Sequence, residues 1–305
     1  MRQKTIFFVA MFCVFGWCCV SCESRNEPSP ENEGSATFVG KPFSIAADKQ
    51  VVFSPGNLQY IQSTKTWAFA SQQYAFLGTA NVVGGKEVSD GDVYGRGKSG
   101  EALADTIDLF GWSANKGSST WGIDISTEEN DYRGVFVDWG KNIGDGKTWR
   151  TLSAEEWTYL LVSRADASSK YGVARILINE TEYANGLVLL PDSWICPDNI
   201  GFKSGMNTKQ TEAGKPESFV KAYADYQTFT LAQWTQLESA GAVFLPAAGG
   251  RDGAYVGYIQ RSGCYWSNYE GNGSAYYLLF DKKQLLPQYF SLRYYGHSVR
   301  LVKDL

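Results

Sequence analysis

The chain has 305 residues, of which 32 are glycine, 18 tyrosine, 17 phenylalanine and 10 tryptophan but only 3 methionine, a balance that favours strands and tight turns over helical bundles. A formal net charge of −4 with no basic cluster argues against nucleic acid and anionic membrane surfaces as partners. A single histidine, His297, and two widely separated cysteines in the folded part do not make the ligand spacing of a zinc site.

Residues 1–22, MRQKTIFFVAMFCVFGWCCVSC, read as an export address. Arg2 and Lys4 form a positive start, Ile6 to Val20 an apolar run, and Val20-Ser21-Cys22 the small residues that a lipoprotein signal peptidase accepts before its cysteine. Residues 1–21 are therefore expected to leave as a lipoprotein signal peptide, with Cys22 becoming first and lipidated. Cys19 stands where leucine is commonest in such motifs, and plain secretion or an uncleaved anchor are the competing readings. Cleavage leaves 284 residues, enough for a real core, and takes the net charge to −6 because two basic residues and no acidic one depart. The expected location is the outer membrane, held by the N-terminal lipid alone, and Glu23, Glu27 and Glu31 point to display at the cell surface.

Residues 22–37 have almost nothing to bury, with two prolines and four glutamates between Glu23 and Thr37, and read as a disordered tether. One domain is expected over residues 38–305. It opens on short apolar stretches around a Ser54-Pro55-Gly56-Asn57 turn and a second apolar run from Thr66 to Phe76, the texture of a β-meander. Residues 78–147 carry fourteen glycines and read as a long loop region that is either functional or packed around its own aromatics, with Trp112, Trp121, Trp139 and Trp149 available for that packing.

Two helices follow from local chemistry. Ser153-Ala-Glu-Glu156 is a capping box ahead of Trp157, Leu160 and Leu161, predicting a helix to about Arg164. Thr230-Leu-Ala-Gln233 repeats the device, with Leu231, Trp234 and Leu237 on one face and Gly241 as the stop. Strand texture follows each helix: GLVLLPDSWICP after the first, then GAVFLPAAG, GYIQRSGCYWSN, SAYYLLFD and HSVRLVKDL after the second. No internal repeat of fixed period occurs. The order strands, helix, strand, helix, strands is α+β rather than alternating β/α.

The segments WRTLSAEEWTYLL, GLVLLPDSW, GAVFLPAAGGR, GCYWSN, AYYLLF and GHSVRLV, in that order over residues 147–305, resemble the major paralogous domain (FISUMP) family of bacterial surface lipoproteins. VVFSPGNLQY, DLFGWS and VDWG extend the resemblance over most of the remaining chain. That family is similar to the C-type lectin-like fold, which the formylglycine-generating enzymes also use. The resemblance implies two helices packed on short antiparallel strands, behind an N-terminal β-meander and a long Gly-rich loop region.

A Ser-His-Asp site would have to use His297, which lies in the last predicted strand, and no G-x-S-x-G elbow precedes a helix; a structural or surface role is expected for this residue. The paired cysteines of the formylglycine-generating enzymes are absent, since Cys264 has no near partner and Cys196 lies 68 positions upstream. Those two either bridge or remain separate apolar side chains. Glu155 and Glu156 point to different sides of one helix, with Glu156 assigned to the cap. Asp90-Gly-Asp92 offers oxygens to calcium but is more simply a solvated turn. The tripeptides of calcium-dependent lectins are missing, Trp266-Ser267-Asn268 being a partial echo.

What remains is aromatic: Trp194, Tyr265, Trp266, Tyr269, Tyr276, Tyr294 and Tyr295, accompanied by Asn268, Arg251 and Arg293. Flat rings beside polar side chains suit sugar faces and protein hot spots alike, although at least half of these rings are expected in the core. The candidate ligand-binding residues are Trp194, Arg251, Tyr265, Trp266, Asn268, Tyr269, Arg293 and Tyr294. Arg300 is expected to be a structural, hydrogen-bonded arginine. The reading is a non-catalytic, lipid-anchored envelope protein without cofactor or metal, recognising an extracellular glycan or polymer. The alternative is a protein-interaction subunit of a surface assembly such as a fimbrial tip or an envelope complex.

Overall fold

The computed structural model describes residues 40–89, 96–117, 119–205, 220–221, 226–271 and 273–305. The leader, Cys22, the expected tether and Asp90-Gly-Asp92 lie outside the described residues. The chain divides into two units, Met1–Thr37 and Phe38–Leu305, and the described residues all fall in the second.

Both helices begin as their caps dictate. Ser153 Oγ accepts from the Glu156 N–H at 3.1 Å while Glu156 Oε2 accepts from the Ser153 N–H at 2.8 Å. One α-turn, Ala154–Thr158, then widens into a π-turn over Tyr159–Ser163, so the helical segment ends where expected but not as a uniform α-helix. The chain leaves it at Arg164, whose guanidinium is drawn inward onto Asp192 Oδ1 and Leu190 O, each at 3.0 Å. In the second helix, Leu231–Ser239, the Thr230 and Gln233 side chains cap each other's backbone N–H groups, and Gly241 at φ +102° makes the stop that a side chain would resist.

The rest is strand-rich, mixed α+β architecture with several small sheets. Phe43–Ala46, Lys49–Phe53, Leu301–Asp304 and Arg150–Thr151 form one antiparallel sheet that ties the start of the domain to its end. A second contains Gln227–Thr230, Tyr171–Leu177, Tyr183–Leu189 and Val243–Pro246, with its first pair parallel. A third runs Val220–Lys221, Gln284–Ser291, Ser274–Phe280, Gly263–Gly271. A fourth runs Gly250–Asp252, Tyr255–Ile259, Arg96–Ser99, Lys86–Ser89. The loop region contributes Lys86–Ser89 and Arg96–Ser99 to the fourth sheet and the shorter strands Val82–Val83, Ala102–Leu103 and Thr106–Ile107. Its expected self-packing holds only in part: Trp112 and Trp139 are fully buried on either side of Phe136, whereas Trp121 meets Trp67 and Trp149 meets Phe69 on the strand Thr66–Phe69. The opening strands are not the expected β-meander: Phe43–Ala46 and Lys49–Phe53 pair in the first sheet, whereas Leu58–Ile61 pairs with Thr66–Phe69 and Thr106–Ile107 in a separate one. Of the apolar run from Thr66 to Phe76, only Thr66–Phe69 is a strand.

The third sheet separates two cores by simple alternation. Tyr265, Leu278, Phe280 and Leu285 face a cluster that includes Phe43, Phe53 and Trp157, whereas Cys264, Trp266, Tyr277, Leu279 and Leu286 face one that includes Trp112 and Trp139. Each buried tryptophan removes roughly 200 Å² from water, an upper value of about 5 kcal/mol by area.

Among the strands with no counterpart in the sequence expectation, two are long enough to have left a signal. Tyr171–Leu177 is buried on both faces and so shows no alternation. Gln284–Ser291 contains Pro287, which ordinarily argues against a paired strand. The register explains its tolerance: Leu279 faces Leu286 and Tyr277 faces Tyr289, so Leu278 alone opposes Pro287 and Gln288. This is a β-bulge, and it places Leu286 and Tyr289, three residues apart, on the same face.

Buried polar groups are tied by backbone and amide partners. Asp108 accepts from the Leu77 N–H at 2.8 Å and from Asn81 Nδ2 at 2.7 Å, and burial pushes its carboxyl up to about 6. Arg300, fully buried, donates to Gln73 Oε1 at 2.7 Å and Asn57 Oδ1 at 3.4 Å, as its structural assignment required.

Candidate functional site

The bulge is what builds the candidate site. By returning Tyr289 to the face of Tyr277, with ring centroids 5.6 Å apart, it leaves two adjacent aromatics, Tyr289 and Phe290, at the surface with 41% and 58% of their area exposed. They line a cleft of about 740 Å³ between the third and fourth sheets and the segment before the last strand. Tyr255 and Tyr258 enter from the fourth sheet, Tyr277 and Leu279 from the third, and Leu292 and Tyr295 from the chain that follows it. Polar groups are interspersed: Asp252, Arg261, Ser262, Ser274, Asp281, Gln284 and Ser291.

Arg251, Cys264 and His297 also line the cleft, all three largely buried. The His297 ring lies 4.3 Å from both the Trp266 and Tyr277 centroids. Its Nδ1 is 3.0 Å from Gly296 O, a contact that requires Nδ1–H to donate and leaves Nε2 as an acceptor 3.3 Å from Ser291 Oγ, whose one proton is shared between it and Leu292 O at 3.3 Å. Burial, opposed by the Gly296 contact and helped by the Arg251 charge, lowers the imidazole to about 3. Ser291 and His297 thus have the outline of a nucleophile and its base, but a base this weak lies roughly four pH units below the value at which general-base catalysis works at neutrality. Burial likewise pushes the Cys264 thiol up to about 12, keeping it protonated.

The expected ligand residues are dispersed by the fold. Trp266, 1% exposed, donates from Nε1 to Phe110 O at 2.6 Å, and Tyr265, fully buried, donates to Pro246 O at 2.8 Å. Both are core residues, not ligand contacts, because residues 263–267 of the strand Gly263–Gly271 lie between two cores and are all buried. Arg293 is buried over the Trp112 ring and clamps Glu129 and Glu270, so its charge serves the fold. Trp194 packs on Phe202 in a different cluster, and Asn268 donates weakly to Thr151 O at 3.4 Å. Tyr269 is exposed against Tyr276, and Tyr294 packs at a tilt against Tyr295, both outside the cleft lining. Of the eight, only Arg251 lines the cleft, and it is held by Gly253 O at 2.6 Å and Leu109 O at 3.3 Å.

Tyr258, Tyr277, Tyr289 and Phe290 were missed. One signal was present: two consecutive aromatics at 289 and 290 cannot both face the same core from a strand. Cys196 and Cys264 are separate free thiols, which removes the bridged alternative; Cys196 Sγ donates to Ile200 O at 3.0 Å, whereas Cys264 faces the Trp266 side of the third sheet. Among the described residues no three His, Cys, Asp or Glu side chains converge as a metal site, and no helix is long and apolar enough to cross a membrane.

Comparison with protein-family models, curated proteins and solved structures returns no match.

Proposed function

We propose that this chain is a non-catalytic, lipid-anchored protein of the cell envelope, displayed on the outer membrane, that binds an extracellular glycan in the cleft between Tyr258 and Phe290. The observation that carries this reading is the set of solvent-facing rings among hydroxyl, amide and carboxylate side chains in one open cavity of about 740 Å³. Apolar ring faces suit the C–H faces of a sugar, and the interspersed polar groups suit its hydroxyls. The FISUMP resemblance and a C-type lectin-like arrangement belong to the same proposal. They are supported by the two capped helices, the opening pair of hairpins and the C-terminal strands. The weak base at His297 supports a binding rather than a catalytic role.

The test is a glycan array probed with the mature lipoprotein in detergent, beside Tyr289→Ala and Phe290→Ala variants of verified fold. Binding that falls at least tenfold in both variants is expected. No sugar bound, or binding indifferent to both changes, removes the glycan reading. The second reading, a protein-interaction subunit, draws on the exposed apolar side chains of Phe290 and Leu292 beside the cleft. A fixed protein partner that co-purifies from mild detergent with the parent but not with Phe290→Asp would favour it.

A further inference from the structure

Resting on the glycan reading, we infer that the cleft takes an uncharged saccharide rather than an acidic one, stacked on Tyr258. Four formal charges line the cleft, Arg251 and Arg261 against Asp252 and Asp281. Their sum is zero, and the two cations are not equivalent. Arg251 is buried, with Nε and Nη1 on the backbone carbonyls of Leu109 and Gly253 and Nη2 enclosed away from solvent without a partner, so it belongs to the wall. Solvent therefore meets one guanidinium and two carboxylates. A carboxylate or sulfate on a sugar needs a surplus of cationic donors, ordinarily a paired arginine, and here it would meet a local surplus of negative charge. His297 does not alter the balance, being neutral throughout the physiological range.

The wall that carries Tyr258 is shaped with unusual firmness. Tyr258 at φ +60° and Gln260 at φ +63° both occupy the left-handed region that non-glycine residues avoid. Such a conformation persists only where its surroundings hold it, and it concentrates at ligand sites. The holding contacts are explicit. Tyr258 O accepts from the N–H groups of Arg261 at 3.0 Å and Ser262 at 3.1 Å. Gln260 is fixed by its own N–H to Ala247 O at 2.8 Å, by Nε2 to Tyr183 O at 2.6 Å, and by Asn185, which donates to its Oε1 at 2.7 Å and its carbonyl at 2.8 Å. The result is a large ring, 40% exposed, at the edge of a cavity that Tyr277, Tyr289 and Phe290 of the third sheet line from the other side. A pre-set wall of this kind lowers the ordering cost of binding and favours a flat, uncharged face.

The test uses titration calorimetry on the mature lipoprotein in detergent. Probes are neutral hexasaccharides of glucose, mannose and N-acetylglucosamine, set against hexagalacturonate, sialyllactose and a heparan sulfate hexasaccharide. Neutral probes are expected to bind, with affinity changing less than about twofold between low and high salt because no ion pair is formed. Tyr258→Asn is the informative variant, since asparagine tolerates the left-handed backbone and removes only the ring. With its fold verified by circular dichroism, it is expected to bind about tenfold more weakly. Preference for an acidic probe, a steep loss of affinity with salt, or Tyr258→Asn binding within twofold of the parent overturns the inference while leaving glycan binding standing. Failure of every probe in both classes overturns the underlying reading instead.

Discussion

Acidification is expected to act on this fold through two buried groups that pull in opposite directions, and removing either one should expose the other. Burial depresses the His297 imidazole from 6.5 to about 3. Between those values the unfolded chain takes up a proton that the folded chain refuses. The stability His297 confers is therefore complete above pH 6.5 and is lost as pH falls to 3. At about 1.4 kcal/mol per unit, the full window is worth on the order of 5 kcal/mol. Asp108 behaves in the reverse sense. Its carboxyl is raised from 3.8 to about 6, so the folded state binds the proton first, and acidification through that window adds on the order of 3 kcal/mol. In the parent the two effects nearly cancel between pH 6 and 4. In Asp108→Asn, which can keep the Asn81 contact, the histidine limb should stand alone and stability should fall steadily below pH 6.5. In His297→Asn, whose amide can still donate to Gly296 O, stability should instead hold or rise on acidification to pH 4. Urea unfolding followed by tryptophan fluorescence from pH 3 to 8 measures both slopes. Carboxylates such as Asp304, held low by Arg150, contribute equally to every variant and cancel in the comparison. Parallel pH profiles for the two variants would refute the reasoning, whatever their absolute stabilities.

Gly263→Ala should destabilise the domain by about 3 kcal/mol or more, because the added carbon would lie 2.1 Å from Phe280 Cζ inside a packed core; a shift in the urea midpoint of less than a tenth of that would show the ring can move freely. Arg293→Met should cost about 2 kcal/mol by leaving Glu129 and Glu270 without their shared cation, tempered by the partial exposure of Glu270. If its urea midpoint matches the parent, the clamp is not structural. Without reductant, iodoacetamide should label Cys196 on the folded protein and Cys264 only after unfolding, the buried thiol being both shielded and raised to about 12. A mass that shows no label after unfolding would mean that the two cysteines are bridged after all.

Local chemistry was legible wherever a few neighbouring residues suffice. Both capping boxes, the Gly241 stop and the mixed strand-rich class follow from short-range pattern, and an arginine inside the apolar segment around Arg300 could only be structural. The candidate site was not legible, and the reason is geometric. Trp266, Tyr265 and Arg293 look like surface recognition residues because their types favour it, yet the first two lie on a strand covered on both faces and the third is buried over Trp112 between Glu129 and Glu270. Tyr289 and Phe290 sit in a run that Pro287 makes improbable as a strand, and only the pairing with Ser274–Phe280 reveals the bulge that accommodates it.

By itself, then, the amino-acid order determined where the helices start, which residues are too apolar to stay in water, and that strands must dominate. The tertiary structure decided which aromatics meet solvent and which charges meet one another across the cleft. Hydrogen-bond capping acts within one turn, whereas the face a strand residue presents depends on register with a partner ten or more residues away, and a single extra residue in that register moves a ring from one side of the sheet to the other.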